Sequence, residues 1–302
     1  MTSSSGNNGG EISDELAALF GHHRPYLFAV AYRFLGIAED AEDVLQEAWL
    51  RLASARPDDL EEPRAYLVTI VSRLCLDLLR SARRRREEYV GVWLPEPVPS
   101  PQALPEGEVL ARESASFAFL LLLERLSPRQ RVVLVLHDVF DFRHREIATI
   151  IGSSLDASRQ ILRRARRALV LPRPPVPTAS PELIDRFYTA TREGDLEALL
   201  ATLAPDVVLL SDGGGRVSAL PQPLAGRWRV GRFLIGVSIK TAWGPVQLQE
   251  LNAQPALLIY QQGKLTNAML LEAGADGVRA LYVVRNPDKL AALGARWEIE
   301  LA

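Results

Sequence analysis

Apolar positions recur at helical spacing through the first third of the chain. In Ala38–Leu52 (AEDAEDVLQEAWLRL) they are Ala41, Val44, Leu45, Ala48, Trp49 and Leu52. The opposite face carries Asp40, Asp43, Gln46, Glu47 and Arg51. Pro63 suits the first turn of a second helix, where its missing N–H costs nothing. From Ala65 to Arg86 an apolar stripe runs through Leu67, Ile70, Val71, Leu74, Leu78 and Leu79. Its polar side carries Arg73, Arg80 and Arg84, and the helix ends in the run Arg83–Arg86. Cations are favourable at a helix C-terminus. Four in succession exceed that need and point to a nucleic-acid surface.

The next segment is also helical. Phe117–Leu126 is apolar. Ser127 before Pro128 is an N-cap with proline at N1, and Arg131–Phe140 continues that helix. A short helix, Glu146–Ile151, then buries Ile147, Ile150 and Ile151. Gly152 can take the left-handed conformation that ends it. Ser153 or Ser154 caps a further helix, Leu155–Leu169, with Ile161, Leu162, Ala165 and Leu169 facing inward. Its other face shows Asp156, Arg159, Gln160, Arg163, Arg166 and Arg167. Such a helix–turn–helix places its second helix in a major groove, where arginine suits both guanine edges and phosphate. The plainer account is a helical hairpin with a solvated basic face.

Two stretches interrupt the pattern. Residues 94–107 (LPEPVPSPQALPEG) and 171–181 (LPRPPVPTASP) hold five prolines each. Neither can be a helix or a central strand, and both are expected to be extended, semi-rigid spacers. Beyond them, Leu183, Ile184, Phe187 and Tyr188 make one apolar helical face, and Leu196, Leu199, Leu200 and Leu203 a second. Strand-like runs follow at Val207–Leu210, Trp228–Ile235, Leu257–Tyr260, Ala268–Glu272 and Ala280–Val284. Helices first and a strand meander afterwards predict an α+β domain.

Composition sharpens this reading by exclusion. The 302 residues carry 35 basic and 37 acidic side chains, a net charge of -2, which excludes a uniformly basic coat protein. The charge is nonetheless blocked. Residues 11–62 hold 4 basic against 12 acidic, 63–86 hold 7 against 1, 87–124 hold 1 against 7, and 125–171 hold 10 against 4. Residues 172–302 hold 13 of each. Alternating blocks suggest surfaces for different partners. A single cysteine, Cys75, excludes a disulfide framework and a thiolate zinc cluster, and His22, His23, His137 and His144 lack metal-ligand spacing. No metal, cofactor or catalytic residue is assigned. No run of 18 apolar residues exists and the first residues, MTSSSGNNGG, lack an apolar core, so a soluble cytoplasmic protein is expected.

In this order, DAEDVLQEAWLRL, PRAYLVTIVSRLCLDLLRSARRRR and LSPRQRVVLVLHDVFDFRHREIATIIGSSLDASRQILRRARRAL resemble region 2 and region 4 of a bacterial sigma-70 family factor of the extracytoplasmic-function group. With VWLPEP (Val92–Pro97), SDGGG (Ser211–Gly215) and NPDKL (Asn286–Leu290), the chain is similar to the subgroup with a SnoaL-like C-terminal extension. The stretch Ala219–Gly226 (ALPQPLAG) departs from that pattern in lacking basic residues.

The resemblance implies two all-α domains, a region 2 helical bundle at 11–92 and a region 4 helix-turn-helix at 113–170. Linkers at 93–112 and 171–181 and an α+β SnoaL-like cone at 182–302 complete it. It implies core RNA polymerase (its β′ and β subunits) and promoter DNA as partners, with no membrane. Asp40, Asp43, Gln46, Glu47 and Arg51 would dock on the β′ subunit. Arg73, Arg80, Arg83 and Arg84 would grip the minus-10 element. Asp156, Ser158, Arg159, Arg163 and Arg164 would read the minus-35 element. Trp93, Leu94 and Pro95 would meet Asp212, Gly213, Gly214 and Gly215, with Asn286, Pro287, Asp288 and Lys289 as a second contact, so that the last domain regulates in cis. With few cations on each half, the free protein should bind promoters weakly, and the polymerase should supply the avidity.

The last domain leaves alternatives open. It has no histidine and its acids are scattered, which disfavours catalysis; Asp212 before three glycines suits an Asx turn. Trp228, Phe233 and Trp243 are candidates for core packing or for lining a ligand cavity. A second reading of the whole chain is a helix-turn-helix regulator whose SnoaL-like domain binds or converts a metabolite. It lacks any use for the first, polymerase-docking helix pair.

Overall fold

The computed structural model describes residues 8–55, 62–87, 89–100, 114–169, 179–241 and 243–297, with the side chains of 8–13, 55, 82–87 and 295–297 outside that description. The chain forms two compact units. The first is helical: α1 (Asn8–Leu35), α2 (Ala38–Ala55), α3 (Pro63–Glu87), α5 (Pro128–Asp138), α6 (His144–Ile151) and α7 (Leu155–Ala168). The second joins residues 89–100 and 114–121 to 179–297, and the division falls within α4 (Phe117–Leu123). No helix among the described residues is long and apolar enough to cross a membrane.

In the first unit Leu27, Val30, Ala31 and Phe34 of α1 are buried, as are Val44, Leu45, Ala48 and Leu52 of α2 and Leu67, Val71 and Leu79 of α3. Ser127 caps α5 in a full capping box with Gln130. Arg131 on α5 is only 4% exposed. Its Nη1 donates to the Phe34 carbonyl at 2.8 Å and to Glu124 at 2.9 Å, and its Nε donates to the Leu123 carbonyl at 3.1 Å. A buried guanidinium is tolerable because these acceptors, one of them charged, replace its water. Through Arg131 the expected regions 2 and 4 pack together in one unit. Tyr26 meets Phe140 edge-on at 5.2 Å, and Arg33 lies over the same ring.

In the second unit a six-stranded sheet has the order β2-β1-β6-β5-β4-β3. The strands are β1 (Leu203–Asp212), β2 (Leu224–Ala225), β3 (Val246–Leu251), β4 (Gln254–Gln261), β5 (Lys264–Gly274) and β6 (Gly277–Val284). Only the β1–β6 pair is parallel. One face packs Leu257, Ile259, Met269 and Leu281 with Ile184 and Phe187 of α8 (Pro181–Glu193), Leu199 of α9 (Leu196–Thr202) and Val230 and Leu234 of α10 (Arg227–Thr241). The other face packs Leu258, Leu270, Tyr282 and Val284 with Leu290 and Leu293 of α11 (Pro287–Trp297), Phe117 and Leu94. Covering both faces explains the unbroken apolar runs in β4 to β6.

Three expectations change. Trp228–Ile235 is part of helix α10, not a strand. Trp228 is 64% exposed and lines neither core nor cavity, whereas Phe233 and Trp243 pack on the core. The described part of the first proline stretch is extended but is not a spacer. Leu94 is fully buried, Pro99 bridges to Leu251, the Asn252 N–H donates to the Val98 carbonyl (2.9 Å), and the Ser100 N–H donates to the Glu250 carbonyl (3.2 Å). The second proline stretch lies outside the described residues up to 178.

Candidate functional site

The helix–turn–helix is built by local chemistry. Gly152 ends α6 at φ 62°, a left-handed conformation that a β-carbon disfavours. Ser154 caps α7, its hydroxyl accepting from the Ala157 N–H at 3.1 Å. Ile147, Ile150, Ile151, Leu162 and Ala165 are buried between the helices. Ser158, expected to face DNA, is instead fully buried, and its Oγ lies 3.0 Å from His144 Nδ1, joining α7 to α6. Desolvation, then His137, Arg159 and Arg166 nearby, lower the His144 pKa.

The outer face of α7 keeps Asp156, Arg159, Arg163, Arg164, Arg166 and Arg167 exposed. Arg159 pairs with Asp156 at 3.3 Å, and Arg166 forks onto Asp138 of α5 at 2.6 and 3.1 Å. Arg163 and Arg164 make no ion pair among the described residues. With His144, Leu162 and Arg167, the cations Arg159, Arg163 and Arg166 line an open groove of about 390 Å³.

On α3, Arg73 is exposed and is also bonded to α6. Its Nη2 donates to the Thr149 carbonyl at 3.1 Å and its Nε to the Ile150 carbonyl at 3.3 Å, capping the C-terminus of α6. Arg80 is exposed and paired with Asp77 at 2.9 Å. Arg83 and Arg84 sit in the last turns of α3, with side chains outside the described residues. On α2, Asp43, Gln46, Glu47 and Arg51 are exposed and Asp40 is half-buried. Arg51 pairs with Glu47 at 2.9 Å. Leu50, 58% exposed on the same face, went unread in the sequence. Its signal was a leucine set between Glu47 and Arg51, off the apolar stripe.

In the second unit one buried carboxylate gathers the predicted interdomain residues. Asp212 is fully buried and accepts from Tyr89 Oη (2.7 Å), the Leu94 N–H (3.0 Å), the Gly214 N–H (2.9 Å) and Lys289 Nζ (2.7 Å). The Gly214 bond is the Asx turn. Lys289, 7% exposed, also donates to the Leu94 carbonyl and lies 4.8 Å from the Trp93 ring centre and 5.3 Å from that of Tyr89. Asn286 donates to Tyr89 Oη at 3.0 Å, and its Oδ1 accepts from the Asp288 N–H at the start of α11, which Pro287 opens. Asp288 pairs at the surface with Arg216, and Pro95 is buried. Glycine is required here: a β-carbon on Gly213 would stand 2.3 Å from the Val217 carbonyl oxygen, and one on Gly214 2.4 Å from the Asn286 amide. Burial and the bond to Asp212 push the Tyr89 pKa well above its usual value.

Tyr89 and Asn252 were missed in the sequence. Asn252 and Ala253 form a turn with φ 53° and 56°, a conformation asparagine tolerates. The Asn252 side chain accepts from the Val98 N–H and donates to the Ala115 carbonyl, both at 2.9 Å. Gln254 accepts from the Phe117 N–H at 3.0 Å. One hairpin turn thus fastens both ends of the segment between 98 and 117.

Two helical modules, one with a capped helix–turn–helix, joined to an α+β domain that grips the linker between them, define a multidomain transcription factor. Residues 19–85 match the Sigma-70 region 2 family and residues 116–169 match Sigma-70, region 4. The chain is 41% identical over 284 residues to the ECF RNA polymerase sigma factor SigJ of Mycobacterium tuberculosis, covering 88% of this chain and 90% of that protein. It is 33% identical over 291 residues to the probable ECF RNA polymerase sigma factor SigI of the same species, covering 93% and 97%. The crystal structure of M. tuberculosis extracytoplasmic function sigma factor SigJ superposes with a TM-score of 0.72 at 36% identity, covering 92% of this chain and 98% of that one. The chain therefore belongs to the extracytoplasmic-function sigma factors of the sigma-70 family: it is a transcription initiation factor.

Proposed function

We propose that the exposed α2 face (Asp40, Asp43, Gln46, Glu47 and Arg51, with Leu50 among them) docks on the β′ subunit of core RNA polymerase in the cytoplasm. The arginines of α3 engage the minus-10 element, and Arg159, Arg163 and Arg164 of α7 read the minus-35 element. The last domain acts in cis by holding or releasing residues 89–100, and no catalytic step is assigned to it. The observation that carries the regulatory part is the burial of Leu94 in the core of that domain under the Asp212–Lys289 pair.

The packing within the helical unit supports a closed free state. Elements 25 base pairs apart are separated by roughly 85 Å of duplex at ~3.4 Å per base pair. A compact unit of about 140 residues has a radius of gyration of only about 14 Å. It must open to reach both elements, which breaks the Arg73 bonds to α6 and the Arg131 bond to Phe34. Free protein should therefore bind promoters poorly.

The test is promoter transcription in vitro by core polymerase with the full chain, comparing wild type with Leu94→Ser and Lys289→Met. A change in promoter-specific transcript yield from both variants supports cis-regulation. Unchanged yield from both, with the linker shown released by proteolysis, overturns it. A nanomolar, promoter-specific gel shift by the free protein would overturn the closed state.

A further inference from the structure

From Gly213 to Gln249 the chain carries Arg216, Arg227, Arg229, Arg232 and Lys240 and no acidic residue at all. The domain as a whole is neutral, so this is a concentrated positive block. Arg216 is neutralised by Asp288 at 3.1 Å. Arg229, Arg232 and Lys240 stand exposed on α10 and make no ion pair among the described residues. The inner side of α10 is committed: Val230, Gly231, Leu234 and Ser238 are buried, and a β-carbon on Gly231 would come within 3.0 Å of Leu200.

The outer side carries Trp228 at 64% exposure and Ile239 at 73%. At ~100° per residue they lie about 20° apart around the axis, with Arg232 about 20° beyond Ile239 and Arg229 and Lys240 about 60–80° farther round. The face is about 18 Å long at ~1.5 Å per residue. Three unpaired cations flanking two exposed apolar side chains call for a partner that is anionic along its length.

We propose that this face of α10 binds the backbone of duplex DNA upstream of the minus-35 site, the cations on phosphates and Trp228 and Ile239 against sugars. The proposal rests on α7 being the promoter-reading helix. Twelve residues separate Ala168 from Pro181. At ~3.3–3.6 Å each they reach at most about 40 Å, some 12 base pairs of DNA. Duplex DNA offers a charge every ~1.7 Å, so an 18 Å basic face meets phosphates in any register. An acidic protein would have to match the positions of individual side chains.

The experiment uses polymerase holoenzyme with the full chain on two promoter fragments, one extending about 40 base pairs upstream of minus-35 and one cut at its edge. The variant Arg229→Gln/Arg232→Gln/Lys240→Gln changes only exposed side chains, and its melting temperature is checked against wild type. On the long fragment it should lose the upstream backbone footprint, and the slope of log affinity against log salt should fall by about 2–3, at ~0.9 per phosphate. On the short fragment it should match wild type. An unchanged footprint and slope overturn the proposal. Equal losses on both fragments also overturn it and assign the cations to an acidic protein surface. Arg163→Ala checks the supporting premise separately, since retained minus-35 protection in that variant would instead remove α7 from promoter reading.

Discussion

Replacing Lys289 by methionine keeps the length and most of the packing of the side chain but removes its charge. Asp212 would remain fully buried with its carboxylate facing Tyr89 Oη and the N–H groups of Leu94 and Gly214. Removing one partner of a buried pair costs about 3–5 kcal/mol, because the other charge is left uncompensated. Three remaining donors still solvate the carboxylate, each hydrogen bond to a charge contributing about 1.5–3 kcal/mol. The expected loss therefore sits near the lower bound, about 3 kcal/mol, a large share of the ~5–15 kcal/mol that holds a domain. Urea unfolding of the full chain reports it through Trp93, which lies against Lys289. The double variant Asp212→Asn/Lys289→Met removes both charges and should recover at least ~1 kcal/mol relative to the sum of the two single losses. A single variant within ~0.5 kcal/mol of wild type, or a strictly additive pair, would refute the reasoning.

Gly214 has φ 62° and no room beside Asn286, so Gly214→Ala should lower the melting temperature, with a cost of about 1–3 kcal/mol. Ser158→Ala should weaken the helix–turn–helix by about 1 kcal/mol through the lost His144 contact while leaving the order of preference among minus-35 sequences unchanged in a binding competition. The raised Tyr89 pKa favours the folded state while the phenol is protonated. That contribution is complete below pH ~10, the unfolded value, and declines as pH rises through the folded one. Alkaline unfolding should accordingly begin earlier in wild type than a Tyr89→Phe variant's shallower pH dependence would give. The lowered His144 pKa works in the opposite sense: stability falls as pH drops through 6.5, because the unfolded chain then binds the proton more readily, and His144→Gln should flatten that slope in thermal melts.

The helix–turn–helix was legible because its signals are local: a glycine at the turn, a serine cap and isoleucines at helical spacing. Even there, Ser158 was assigned outward although it stands four residues before Leu162 and seven before Ala165, the spacing of the buried stripe. The strand expected at Trp228–Ile235 failed for a different reason. Apolar side chains occur on both sides of α10, inward at Val230 and Leu234 and outward at Trp228 and Ile239, so no helical period emerges. The bonds from Arg73 to the Thr149 and Ile150 carbonyls were not legible, because a sequence does not say which distant carbonyls a guanidinium will reach. The interdomain motifs were legible through resemblance. Tyr89 and Asn252, which complete the same arrangement, carry little distinctive pattern of their own.

The prolines of the segment gripped by the last domain fall at alternate positions, and this has a consequence for solubility. Val98 and Ser100 face β3 and use their N–H groups inward, on Asn252 and Glu250. Half-buried Pro99, at the bridge to Leu251, therefore points its backbone nitrogen away from β3 and has no hydrogen to offer. Where this segment borders the sheet, an approaching strand from another molecule finds a margin that lacks donors and cannot be extended as a ladder. The same residues that tether the linker thus blunt one end of the sheet against self-association. A variant restoring a donor there, such as Pro99→Thr, keeps the Val98 and Ser100 bonds to Asn252 and Glu250 while making the protein prone to aggregate through that edge.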